Sequence, residues 1–264
     1  MSSKGLASSD PSELLYLRPI RWQDLAEVPQ PDQRLTSCPF PWQPGDHLSL
    51  IGETGSGKST LAVWLLKQRR FVGILRTKVD EIIYPVQVVV KSHRIMYNNR
   101  VDQWELRPDK RPIDRRRAEL LAAYRLAGNQ GGWTLYTDET WFVEHRLGLT
   151  LELEDLLTQG REQKIAGAPR PLTMALAAQR PARISRFVLS QATHVIAWNV
   201  EPREAKTLAE STSELFGAIT QTLDLASHEF AWFHRPTRGI WRGVLEDAGG
   251  DSIVGHHVVV EEVA

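Results

Sequence analysis

The chain has 264 residues, enough for one or two domains with a sizeable core, and its 42% hydrophobic and 24% charged content excludes disordered, collagenous and membrane classes. Its 32 basic residues equal its 32 acidic ones, so any attraction to a polyanion such as DNA has to come from local patches rather than the overall field. Cys38 is the single cysteine, which excludes an intrachain disulfide and a multi-cysteine zinc site and fits a reducing, cytoplasmic setting.

Residues 1–45 are proline-rich and lack periodicity, which predicts an extended N-terminal arm whose Pro39-Phe40-Pro41-Trp42 stretch packs against the domain that follows. The Ser-rich start has no charged head followed by an apolar stretch, so no secretory signal is expected. Runs such as Val86–Val90 and His194–Val200 fall far below the roughly 20 residues that span a bilayer, so no membrane span of its own is expected either.

From Asp46 onward, short apolar runs alternate with helix-length segments, the pattern of an α/β fold with a mainly parallel sheet flanked by helices. Strands are predicted at 47–51, 71–75, 133–137, 172–177, 194–200 and 230–234, with terminal strands at 240–245 and 253–260. Helices are predicted at 59–69, 114–126, 151–164 and 202–216 from their length and spaced apolar positions. Trp104, Trp133, Trp141, Trp198, Trp232 and Trp241 lie in or beside these runs and are expected to be packing residues.

Between the first strand and the first helix stands Gly52-Glu53-Thr54-Gly55-Ser56-Gly57-Lys58-Ser59, a complete phosphate-binding loop followed by Thr60. Its glycines let backbone N–H groups turn toward phosphates, Lys58 reaches the outer ones, and Ser59 is placed to hold Mg2+. These residues, Gly52 through Thr60, are therefore the expected nucleotide-binding set, and 46–264 the expected P-loop domain.

The strand Trp133–Thr137 delivers Asp138 and Glu139 at its C-terminal end, where ligands sit in open α/β sheets. Asp138 is the candidate Mg2+ ligand, directly or through water, and Glu139 the candidate that polarises a water for attack on the γ-phosphate. Downstream, Ala177-Ala178-Gln179-Arg180-Pro181 puts an amide at another strand tip, where Gln179 is placed to bridge the γ-phosphate and the attacking water. His256 and His257 are neighbours on a predicted strand and face opposite ways, which disfavours a metal pair.

The order of phosphate loop, strand ending in Asp-Glu and strand ending in Gln-Arg-Pro resembles the FtsK/HerA group of P-loop ATPases, over roughly Asp46 to Glu210. Thr77-Lys78-Val79-Asp80 resembles the T/P-K-G-D signature of that group, with Val79 standing where glycine is usual, and Gly160-Arg161 matches a further element. The resemblance implies a RecA/ASCE-like sheet, Mg2+-dependent ATP hydrolysis and translocation of double-stranded DNA for genome packaging or DNA transfer. It further implies a homo-oligomeric ring, and docking on a portal or a membrane-bound coupling protein. Arg161 is the position onto which the group's intersubunit arginine is carried, with Arg170, Arg180 and Arg183 as competitors. Too little chain follows His234 for a winged-helix or nuclease domain, so a minimal motor is expected. Arg94, Arg100, Arg111, Arg115, Arg116 and Arg117 form the densest basic region, read equally well as a pore lining or as a solvated helix face. The alternative is a nucleotide-dependent switch or assembly ATPase that does not translocate DNA. A GTPase is disfavoured because Thr77-Lys78-Val79-Asp80 falls too close to Lys58, and an ABC-type ATPase because no L-S-G-G-Q stretch is present.

Overall fold

The computed structural model of the chain describes residues 42–77, 84, 86–94, 101–107 and 112–245, together with the backbone of 253–258. Cys38, Lys78, Val79, Asp80, Arg100, Arg111, and all of the N-terminal arm before Trp42, lie outside the described residues.

The first strand, β1 (Leu48–Ile51), runs into the phosphate loop and α1 (Lys58–Leu66), and β2 (Val72–Leu75) follows. After β3 (Val88–Val90) and β4 (Gln103–Leu106) come α2 (Ile113–Gln130) and β5 (Thr134–Thr137). A π-helical turn (Phe142–Arg146) leads to α3 (Thr150–Gln159), a small hairpin of β6 (Lys164–Ile165) and β7 (Ala168–Pro169), and β8 (Thr173–Ala178). A 3-10 turn (Pro181–Arg183), α4 (Arg186–Gln191), β9 (His194–Ala197), α5 (Pro202–Ser211) and α6 (Glu214–Thr220) precede β10 (Glu229–His234), β11 (Gly239–Leu245) and β12 (Ile253–Val258).

Among the described residues these strands form one ten-stranded sheet in the order β12-β11-β10-β9-β1-β8-β5-β2-β4-β3. The stretch from β9 to β3 is parallel, and β10, β11 and β12 extend it antiparallel on the β9 side. This matches the predicted mainly parallel sheet with terminal strands. Alternation along each central strand divides the core between the two sheet faces. Leu48 and Leu50 of β1, Tyr136 of β5, Ala175 and Ala177 of β8 and Ile196 of β9 pack with Leu61 and Leu65 of α1. Leu135, Met174, Leu176 and Val195 face the opposite way, toward Tyr124, Leu153, Val188 and Leu208 of α2 to α5. The predicted packing role of the tryptophans holds for Trp104, Trp133, Trp198, Trp232 and Trp241, all buried, while Trp141 is half-buried.

Several predicted bounds shift for local reasons. The helix expected at 151–164 ends at Gln159, because Gly160 caps it, and residues 164–169 turn back as the β6–β7 hairpin. The helix expected at 202–216 breaks at Thr212, and the Ser213 hydroxyl accepts from the Phe216 N–H to start α6. Two edge strands, β3 and β4, were not predicted as such: β3 is only partly buried, and β4 carries Gln103 and Glu105, which breaks an apolar signal. The described end of the lead-in packs: Trp42 is buried, the Arg69 guanidinium lies 4.1 Å above its ring, and the Gly45 N–H donates to Thr173 Oγ1, while Pro39, Phe40 and Pro41 lie outside the described residues.

Candidate active site

The loop between β1 and α1 reverses direction through two glycines in the left-handed region, Gly55 at φ 84° and Gly57 at φ 101°. Gly57 is the residue at the N-terminus of α1, and no side chain caps it, so the first amides of the helix project out of the turn. A Cβ at Gly57 would also lie 2.6 Å from Leu245 Cδ1, so β11 closes one side of the loop. At Gly52 a Cβ would lie 2.8 Å from Ser56 Oγ and 3.0 Å from Trp198 Cβ, so the loop lies pressed on the indole beneath it. Ser56 is fully buried, and its Oγ has no hydrogen-bond partner among the described residues. Glu53, Thr54, Gly55 and Thr60 are exposed on the outer rim. Lys58 is largely buried, and its Nζ donates to the Gly52 and Glu53 carbonyls at 2.5 and 2.6 Å, which folds the ammonium back over the loop.

The strand order decides what faces this loop. β8 lies between β1 and β5, with Ile51 level with Ala178 and Thr137 level with Leu176. Strands are spaced by about 4.8 Å, so Asp138 and Glu139 leave the sheet roughly 10 Å to one side of the loop, and Gln179 leaves it between the two. The gap suits a terminal phosphate and a water. Gln179 Nε2 donates to Glu139 Oε2 at 3.0 Å, joining the two predicted catalytic side chains directly. The Thr140 hydroxyl donates to the Ala177 carbonyl at 2.9 Å and ties the β5 exit to β8. The turn after Gln179 is braced as well, by the Ala182 N–H donating to Glu204.

Asp138 is held from β2. Its Oδ1 accepts from the Thr77 N–H at 2.8 Å and from the Thr77 hydroxyl at 2.6 Å, and Arg76 Nε lies 3.8 Å from Oδ2. Arg76 is 1% exposed and shared with Glu105 of β4, 3.6 Å away, which also pairs with Arg107. Arg116 Nη2 donates to the Thr77 carbonyl at 2.7 Å while stacking over Phe142. Sequence reasoning noticed Thr77 as part of a signature but gave it no contact. Arg76 carried no signal, because nothing in the sequence distinguishes an arginine that will be buried between two carboxylates.

Arg161 is exposed, and its Nη2 donates to the Gln191 carbonyl at 2.7 Å. It follows α3 and the Gly160 cap, beside His47 at the N-terminal edge of β1, so the fold puts it at the opposite end of the sheet from Lys58 of the same chain. Arg170 is buried at that same edge, whereas half-buried Arg180 and exposed Arg183 flank Gln179 on the loop side. Within the basic region, Arg116 is tied as described and half-buried, while Arg94, Arg115 and Arg117 are exposed, Arg117 Nε donating to the Leu147 carbonyl. No group of His, Cys, Asp and Glu among the described residues is arranged to hold a metal by itself, and no helix there is long and apolar enough to cross a membrane; the side chains of His256 and His257 lie outside the described residues.

No family model matches the chain. The DNA packaging ATPase P9 of Enterobacteria phage PRD1 is 30% identical over 156 residues, 54% of this chain and 59% of the phage protein. The chain thus spans well under two thirds of the length of the curated relative it matches. The genome packaging NTPase B204 of Sulfolobus turreted icosahedral virus 2, solved with sulfate, superposes with a TM-score of 0.60 at 18% identity, covering 84% of this chain and all of that one. This is the fold of the viral genome-packaging NTPases. The same viral NTPase solved with AMPPCP gives a TM-score of 0.55 at 18% identity, covering 83% of this chain and 100% of that one. The mainly parallel sheet flanked by helices that the motif order implied is therefore the architecture of the chain.

Proposed function

We propose that the chain is a Mg2+-dependent ATPase that drives double-stranded DNA, as a packaging motor does. The observation that carries the reading is Glu139, joined to Gln179 and standing across one intervening strand from an intact phosphate loop. Glu139 supplies the base that orients a water, Gln179 spans the water and the γ-phosphate, and Lys58 turns from its loop carbonyls to the β- and γ-oxygens. A relative named as a DNA packaging ATPase, and a structural neighbour solved with AMPPCP, support the same reading.

Mg2+ fits the residues present. Ser59 opens α1, Asp138 leaves β5 on the α1 face, and buried hydroxyls without partners line the space beside them. Held by Ser59 and Asp138, the ion would neutralise charge on the terminal phosphates. Thr77 holds one Asp138 oxygen and Arg76 adjoins the other, so the carboxylate is already oriented where the ion or one of its waters would meet it. We place Arg161 at the site of a neighbouring copy in a homo-oligomeric ring, because in its own chain it lies at the far end of the sheet. A portal or coupling protein as the docking partner, and a cytoplasmic setting, belong to the same proposal.

The test is the ATPase rate with and without duplex DNA, for the wild type and for Glu139→Gln. Duplex DNA is expected to stimulate the wild type. Glu139→Gln is expected to bind a fluorescent ATP analogue normally and to hydrolyse ATP at least ~100-fold more slowly. Unchanged turnover in Glu139→Gln would remove this glutamate from the reaction. Hydrolysis indifferent to DNA would favour a switch that times the release of a partner.

A further inference from the structure

Two buried phenols stand beside Ser59 and Asp138. Tyr84 is 3% exposed and Tyr136 fully buried, with ring centroids 5.5 Å apart and planes inclined at 48°. Alternation along β5 and beyond puts Tyr136 and Asp138 on the same face, the one that α1 covers, and both tyrosines pack in the cluster that contains Leu61 and Leu65. Both hydroxyls adjoin the Ser59 hydroxyl and lie within the field of the Asp138 carboxylate. The Arg76 guanidinium, 5.1 Å from the Tyr84 ring, clamps that side chain from behind. Yet neither phenol oxygen completes a hydrogen bond among the described residues.

A buried hydroxyl left without a bond is unfavourable by about 1–3 kcal/mol, so two of them side by side call for a partner. Apart from Ser59 and each other, the apolar side chains packed around them offer none. Mg2+ keeps several of its waters when it binds through one or two protein groups, and those waters are strong donors pointing outward from the ion. A phenol oxygen accepts such a hydrogen bond, while its own O–H remains available for Ser59 or for the other phenol.

We propose that Tyr84 and Tyr136 form the outer shell of the divalent cation at Ser59 and Asp138, their hydroxyls hydrogen-bonding its water ligands. The proposal rests on the Mg2+-ATP reading of the site and adds two positioning residues to it. It explains why phenols rather than phenylalanines occupy an otherwise apolar cluster. It also gives the segment after β2 a part in the site, because Tyr84 belongs to that segment and not to the phosphate loop.

The experiment measures binding of a fluorescent ATP analogue to the full chain as Mg2+ is titrated, with a parallel arm in EDTA. Tyr84→Phe and Tyr136→Phe keep the rings and remove only the oxygens. Outer-shell partners typically alter metal affinity 10- to 100-fold, so each variant is expected to need roughly tenfold more Mg2+ for half-maximal metal-dependent binding. Binding in EDTA and the thermal midpoint should be unchanged or slightly improved. A Mg2+ requirement equal to that of the wild type in both variants, with EDTA binding intact, overturns the proposal. Absence of analogue binding by the wild type in both arms would instead overturn the nucleotide reading itself. Should Tyr136→Phe fail to fold, Tyr84→Phe decides by the same Mg2+ requirement. Mn2+ in place of Mg2+, followed by electron paramagnetic resonance, gives the same comparison without any turnover.

Discussion

One buried imidazole should carry a measurable part of this protein's sensitivity to acid. His47 immediately precedes β1 and is 1% exposed. The Met174 N–H donates to its Nδ1 at 3.1 Å, so that nitrogen is an acceptor, and Nε2 therefore carries the proton and donates to the Leu157 carbonyl at 2.9 Å. The neutral ring is satisfied at both nitrogens, whereas an imidazolium would turn a second N–H against the Met174 N–H. Burial pulls the group from 6.5 down to about 4; the Leu157 carbonyl raises it, the Arg161 charge lowers it and Asp46 raises it. Between those limits the unfolded chain binds the proton and the folded chain does not, so stability falls as pH drops below 6.5 and stops falling near 4. At about 1.36 kcal/mol per pH unit the whole interval amounts to about 3 kcal/mol, of which about 2 kcal/mol is lost by pH 5.

His194 and His234 are lowered by burial and act with the same sign, while Glu144, raised by burial, acts with the opposite sign above its usual 4.5. A variant comparison isolates His47 from these. Urea unfolding of wild type and His47→Gln at about pH 7 and pH 5 should show the wild type losing about 2 kcal/mol more than the variant. Equal losses would refute the assignment of the acid sensitivity to this ring.

Arg76→Ala should destabilise the fold by about 3–5 kcal/mol, because it leaves Glu105 and Asp138 buried without the guanidinium between them; a urea midpoint within error of the wild type would contradict this. If Arg161 serves a neighbour's site, Arg161→Ala and Lys58→Ala should each be inactive alone and should regain part of the ATPase rate when mixed, since a mixed ring contains pairs with both residues intact. No recovery at any mixing ratio would leave Arg180 or Arg183, on the loop side, as the better candidates.

The phosphate loop was legible because its chemistry is local: amides, a lysine and a serine must follow one another within eight residues, whatever surrounds them. Asp138, Glu139 and Gln179 were legible as ends of apolar runs, since a strand that stops in a parallel sheet stops at the ligand-bearing edge. Their mutual placement was not. Glu139 and Gln179 are 40 residues apart and meet only because β8 inserts between β1 and β5. The same distance in sequence concealed the Thr77 and Arg76 hold on Asp138, which depends on β2 pairing with β5. The edge strands β3 and β4 escaped because partial exposure and polar residues erase the periodic signal at the border of a sheet.

Composition, the loop motif and the period-two runs were thus enough to set the class of fold and to pick out the candidate phosphate-binding loop, because each depends on neighbours along the chain. Tertiary structure alone decided that Arg161 stands at the far end of the sheet from Lys58, that three of the basic region's contacts are spent on Thr77, Phe142 and Leu147, and that Tyr84 and Tyr136 lie buried beside Ser59. Those outcomes follow from strand order and from the depth at which each side chain is buried, neither of which any local stretch of sequence encodes.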